Sequence, residues 1–188
     1  MLVSPDRASP YEATLGERFL ALHPHVRRAH QAPLSAEGAM DVVHGQHVLT
    51  PLLVRMMKLP SQGKSLPVVL QVTNEPGTGR LPCTMSWRRQ IGATVLHTRQ
   101  FARAGRLIEE TGAGAVEFAL QVDSSGGLHY TDVTSRVLAL RLPRFLAPRV
   151  RAQVSPTSSG WRVEVVVEWR GHLVCQYGGA MHLARSDA

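Results

Sequence analysis

The stretch WRVEVVVEWR, residues 161–170, decides the fold class. Trp161, Val163, Val165, Val167 and Trp169 fall at one parity, and Arg162, Glu164, Glu168 and Arg170 at the other, with Val166 the only interruption. Successive side chains of a strand point to opposite faces, so this spacing predicts a strand with one buried face and one wet face. A face left in water is the habit of antiparallel sheets.

The same period recurs on both sides of this strand. It predicts strands at Leu66–Asn74, Leu81–Gln90, Thr94–Arg103, Arg106–Glu110 and Ala115–Asp123. Others are expected at Leu128–Thr134, Arg136–Arg141, Arg149–Ser155 and His172–Ala184, with a short helical turn at Pro143–Leu146. Gly92, Gly105, Gly112–Gly114, Ser124–Gly127, Ser155–Gly160 and Gly171 punctuate the series as turns. Before residue 66 the period changes. Tyr11, Leu15, Phe19, Leu22 and Val26 recur at helical spacing, with Ser9 or Pro10 as the start, Glu12 in the first turn and Pro24 dividing the helix. Ala39–His44 reads as a short strand and Val48–Leu59 as a buried helix ending before Pro60.

A long meander with one apolar face must curl on itself or accept helices against that face. The expected fold is therefore α+β: a long, strongly curved antiparallel sheet, barrel-like or half-barrel, with two or three helices mostly in the N-terminal third. Residues 11–184 are expected to form one domain, between a loose lead-in at 1–10 and a tail at 185–188. Curved sheets of this kind often enclose an apolar cavity.

Composition narrows the function classes. The 188 residues are 44% hydrophobic and 19% charged, ordinary for a folded domain large enough to bury a core. No apolar run approaches the roughly 20 residues of a membrane-spanning helix. The first twelve residues show no apolar signal core, so a cytoplasmic location with Cys83 and Cys175 reduced is expected. The net charge of +7 invites a nucleic-acid reading, but the arginines are scattered and only Lys58 and Lys64 join them, which argues against a phosphate-binding patch.

Few residues carry a chemical signal. His23, His25, His30, His44 and His47 cluster in sequence, but no cysteine or carboxylate group accompanies them, and surface or capping roles are expected rather than a metal site. No G-x-S-x-G elbow occurs, and no catalytic residue or cofactor is assigned. Arg89 is the sharpest position. In a regular strand it shares a face with Cys83, Met85, Trp87 and Ile91, where a guanidinium must be paired or must hold an anion. The plain reading is an ion pair with Glu109, Glu117 or another acid. The functional reading has Arg89, with Arg99 or Arg103, anchoring an anionic head group at a cavity mouth beside Trp87. Tyr177 lies on the last strand, opposite in parity to His182.

Several pieces in order resemble a bacterial family known as domain of unknown function 4166: Tyr11-x3-Leu15-Gly16-x2-Phe19, Val26-Arg27-Arg28-x-His30, Leu59-Pro60, Trp87-Arg88-Arg89, Leu142-Pro143-x-Phe145-Leu146-Ala147-Pro148, and Gly171-x-Leu173-Val174-x2-Tyr177-x-Gly179. Some relatives carry the domain behind a saccharopine-dehydrogenase-like unit. No G-x-G-x-x-G stands between a strand and a helix in this sequence. The resemblance implies a stand-alone accessory or ligand-binding module, carries over no catalytic residue, and singles out His30. The leading expectation is non-catalytic binding of a small hydrophobic or amphipathic ligand, through Arg89, Trp87, Arg99, Arg103, Tyr177 and His30. The alternative is a protein-interaction module using a sheet edge or the basic face, its partner unknown, and the third is an enzyme.

Overall fold

The computed structural model describes residues 9–75, 83–112, 114–137, 140, 141, 143, 145 and 147–184. Eleven strands follow one another as an antiparallel meander: β1 (Leu34–His44), β2 (Gly63–Glu75), β3 (Thr84–Ile91), β4 (Thr94–Arg103), β5 (Arg106–Thr111), β6 (Gly114–Val122), β7 (Leu128–Val137), β8 (Leu140–Arg141), β9 (Arg149–Pro156), β10 (Trp161–Trp169) and β11 (His172–Leu183). Ten of them close a barrel, because β6 pairs with β7, β7 with β9, and β11 returns to β1. The curved sheet anticipated from the period-2 pattern thus closes completely.

Local chemistry sets the register. Ala104 and Gly105, and Arg170 and Gly171, all have positive φ, so β4–β5 and β10–β11 are joined by two-residue turns that match strand twist. At the β1–β11 seam, a Cβ on Gly179 would strike the Ala39 carbonyl and one on Gly38 the Ala180 carbonyl, so only glycine lets these strands approach. The thinnest seam lies between β7 and β9, which pair only over Leu128–Thr131. Beyond it the Asp132 carboxylate accepts the Val150 N–H at 3.2 Å, and β7 turns to pair with β8.

The N-terminal helices fill one half of the barrel. Helix α1 (Pro10–Leu15) opens with a capping box: the Glu12 N–H donates to Ser9 Oγ at 3.2 Å, and the Ser9 N–H to Glu12 Oε2 at 2.7 Å. A 3-10 helix follows at Gly16–Ala21 and helix α2 at Pro24–Ala29, where the His23 ring accepts the His25 N–H. Tyr11, Leu15, Phe19, Leu22, Val26 and Ala29 are all buried, and the helices lie against β4, β5, β6, β9 and β10. The strand positions facing this plug, among them Leu34, Ala36, Met85, Leu107, Phe118, Leu128 and Trp161, are sealed. Each such apolar side chain removed from water stabilises the fold by roughly 1.5–3 kcal/mol.

Several expectations need correcting. Strand β1 begins at Leu34 rather than Ala39, and β7 runs on to Val137, leaving only Leu140–Arg141 of the strand expected at Arg136–Arg141. Val48–Leu59 is not a buried helix. Helix α3 spans Thr50–Met56, with Leu53 and Val54 turned inward and Val48, Leu52 and Met56 exposed. Half of the turn expected at Pro143–Leu146 lies outside the described residues, although the Ala147 N–H donates to the Pro143 carbonyl at 3.0 Å. Of the lead-in expected at 1–10, residues 1–8 lie outside them, as does the tail at 185–188, while Ser9 caps α1 and Pro10 begins it.

Candidate functional site

A chain of polar side chains crosses the middle of the barrel and ties the helical plug to the wall. The His30 Nδ1 stands 2.6 Å from the Val26 carbonyl, which can only accept, so that nitrogen carries the proton. Burial, partly opposed by that hydrogen bond, pushes the His30 imidazole down to about 4, and the ring is neutral. Its Nε2 must then accept, and the Tyr130 hydroxyl donates to it at 2.6 Å. Tyr130 has no second proton for Tyr11, whose oxygen lies 3.3 Å away. Tyr11 donates instead to Gln100 Oε1 at 2.6 Å, and Gln100 Nε2 donates to Glu109 Oε2 at 3.1 Å. Arg89 Nη1 completes the chain, donating at 2.9 Å to both Glu109 Oε1 and Thr98 Oγ1.

Strand register brings these residues together. Trp87 pairs with Thr98, Met85 with Gln100 and Gln100 with Glu109, so Trp87, Arg89, Thr98, Gln100 and Glu109 all point inward from β3, β4 and β5. Burial pushes the Glu109 carboxyl up, but the charge and hydrogen bond of Arg89, with help from Thr98 and Gln100, more than reverse this, and it lies below its ordinary range. The two form an ion pair at 2.9 Å. Burial raises the hydroxyls of Tyr11 and Tyr130, and takes Tyr177 up to about 12, so all three remain neutral donors.

The ion pair is deep but not sealed. Protein surrounds Arg89 and Glu109, yet 23% and 17% of their side-chain surfaces are accessible. Around them Leu66, Ala152, Val163, Val165 and Tyr177 also point inward and are only partly buried. The barrel interior is therefore less completely filled here than around the helical plug. The Arg89 guanidinium lies 4.8 Å from the centre of the Trp87 ring. Its Nε and Nη2, and the Tyr177 hydroxyl, have no hydrogen-bond partner among the described residues, and none of them is a sealed orphan. These donors face the lumen. Two open clefts of about 380 and 290 Å³ lie elsewhere, the first beside Ser9, Glu12 and Arg28 and the second beside Arg103, Glu110 and Arg136.

The family model for Domain of unknown function (DUF4166) matches residues 22–181. The chain belongs to this family. Among curated proteins and solved structures nothing matches it.

Of the six residues singled out in this DUF4166 chain, the barrel brings together Arg89, Trp87 and His30, with Tyr177 on the facing wall. Arg99 and Arg103 do not join them. Their parity on β4 is opposite to that of Thr98 and Gln100, so they stand outside, paired with Glu75 at 2.8 Å and Glu117 at 3.2 Å. Arg89 takes the plain reading, an ion pair with Glu109. His30 is neither a surface nor a ligand-ready histidine, being 2% exposed and bonded through both ring nitrogens. Helical spacing marks Tyr11 only as a packing residue, and Tyr130 and Gln100 are not among the candidates. Gln100 carried a signal, as a polar residue at the inward parity of a strand. Tyr130 meets His30 from a hundred residues away, a contact no local pattern encodes.

Proposed function

We propose that this DUF4166 barrel binds a small amphipathic molecule in its lumen, without catalysis. The observation that carries the proposal is the accessible surface left on inward-facing side chains of a closed barrel. The apolar body of the ligand lies against Ala152, Val163 and Val165, and its polar end meets the free N–H groups of Arg89 and the hydroxyl of Tyr177. Pockets of this kind join apolar walls with a few placed polar groups.

The ion pair changes the expected head group. Glu109 already meets the charge of Arg89, so a carboxylate or phosphate would enter beside a second anion. An uncharged acceptor, such as a hydroxyl, ester or ketone oxygen, takes the free donors without that repulsion. Barrel closure also leaves no continuous sheet edge for a partner strand, which weakens the reading of an edge-pairing interaction module.

Calorimetric titration with a medium-chain alcohol or methyl ester, and with the carboxylate of the same chain length, tests the proposal. One-to-one binding of the neutral compound is expected, with the carboxylate about tenfold weaker. Absence of saturable binding by either overturns the lumen reading, and preference for the carboxylate overturns the choice of head group.

A further inference from the structure

The connection from β1 to β2 crosses the end of the barrel opposite the plug. The Gly45 N–H donates to the Val174 carbonyl, and His47 stacks on His172 at 4.5 Å, fixing one side of the crossing to the β10–β11 turn. The Ser61 N–H reaches Thr94 Oγ1 at 3.4 Å, fixing the other side to the start of β4. Between these points α3 lies over the mouth, with Leu53, Val54, Met57 and Leu59 packed inward.

The outer face of this lid has the wrong polarity for water. Val48 is 84% exposed, Leu52 55% and Met56 70%, and Phe145, from the β7–β9 connection at the same end, is 64% exposed. Exposed cations flank them: Arg55, Lys58, Lys64 and Arg170. Both lysines of the chain are in this group. Among the described residues none of the four is ion-paired, as is also true of Arg88 and Arg106 on the barrel wall, but at the α3 end such cations stand beside exposed apolar side chains.

From this arrangement we infer that the α3 end docks on an anionic lipid surface. The apolar side chains enter the boundary between head groups and acyl chains, and the unpaired cations meet lipid phosphates. The inference rests on the lumen reading in one respect: a bilayer is the natural reservoir of an amphipathic ligand, and the lid would face it. No helix among the described residues is long and apolar enough to cross a membrane.

Flotation of the whole chain with vesicles tests this, using phosphatidylcholine alone and phosphatidylcholine with about a third phosphatidylglycerol. Binding to the anionic vesicles only is expected, weakened at high salt. The Leu52→Asp/Met56→Asp variant is expected to lose at least about tenfold in partitioning, and Arg55→Glu/Lys58→Glu a similar factor. These residues are exposed, so the variants should keep the native melting temperature and the native affinity for a soluble neutral ligand added without vesicles. No binding to anionic vesicles, or undiminished binding by both variants, overturns the docking while leaving the lumen reading intact. Self-association of the chain through these residues without vesicle binding overturns it in favour of a second copy. Vesicle binding with no ligand binding overturns the lumen reading alone.

Discussion

Leu107 and Val165 both point into the same barrel, yet Leu107 is 0% exposed and Val165 keeps part of its surface accessible. The difference follows from what each faces. Leu107 belongs to the half occupied by the N-terminal helices, where Tyr11, Leu15, Phe19 and Val26 fill the interior. Val165, like Tyr177, Ala152 and the Arg89–Glu109 pair, lies where the plug leaves part of the inward surface accessible. One half of the lumen is a sealed protein core, and the inward side chains of the other keep part of their surface accessible. The polar chain from His30 to Arg89 runs between the two and joins the packing of the plug to the floor of the open half.

Substitutions sharpen that contrast. Leu107→Ala leaves a cavity in a sealed region and is expected to cost about 3–4 kcal/mol in urea unfolding, whereas Val165→Ala, beside existing space, costs about 1 kcal/mol or less. Equal losses would mean that the two halves are packed alike. The pH dependence addresses the junction between them. Because His30 is held neutral in the fold with a depressed pKa of about 4, the unfolded chain takes up a proton first as pH falls. Stability from this group is therefore complete above about pH 6.5, declines by about 3 kcal/mol between 6.5 and 4, and is flat below. His30→Gln should flatten the urea-unfolding profile in that window, while the losses from Glu109 and other carboxylates come at lower pH. An unchanged slope would mean that His30 is charged in the fold.

The same contrast separates inner from outer ion pairs. Glu109→Gln leaves the inward guanidinium without its counter-charge and is expected to cost about 2 kcal/mol, reduced from the value for a sealed pair by the accessibility of the site. Arg99→Ala breaks an exposed pair with Glu75 and should cost less than about 1 kcal/mol by thermal or urea melts. Comparable losses at the two positions would contradict the inward placement of Arg89.

The architecture was legible in the sequence because period-2 alternation and turn glycines are local. The register of β4 against β5 follows from Ala104-Gly105, whereas that of β10 against β11 follows from Arg170-Gly171 only up to Glu168, where a bulge shifts it by one residue. Combined with parity, those turns place Gln100 beside Glu109. Non-local effects are less legible. Charge alone groups Arg99 and Arg103 with Arg89, although strand parity turns them out of the barrel. The apolar composition of the α3 segment suggests burial, yet it lies across the mouth of the barrel with one face outward. The contact of His30 with Tyr130, and of Tyr11 with Gln100, depends on helices entering a barrel whose closure joins strands distant in sequence.

Filling the open half tests the account most directly. Titration with a neutral polarity-sensitive naphthylamine probe should give saturable, one-to-one fluorescence enhancement with the native chain. Ala152→Trp, which places an indole in the lumen beside Val165 and Tyr130, should abolish that binding while the far-ultraviolet circular dichroism is unchanged. Saturable binding that survives the tryptophan, or none by the native chain, would contradict the open lumen.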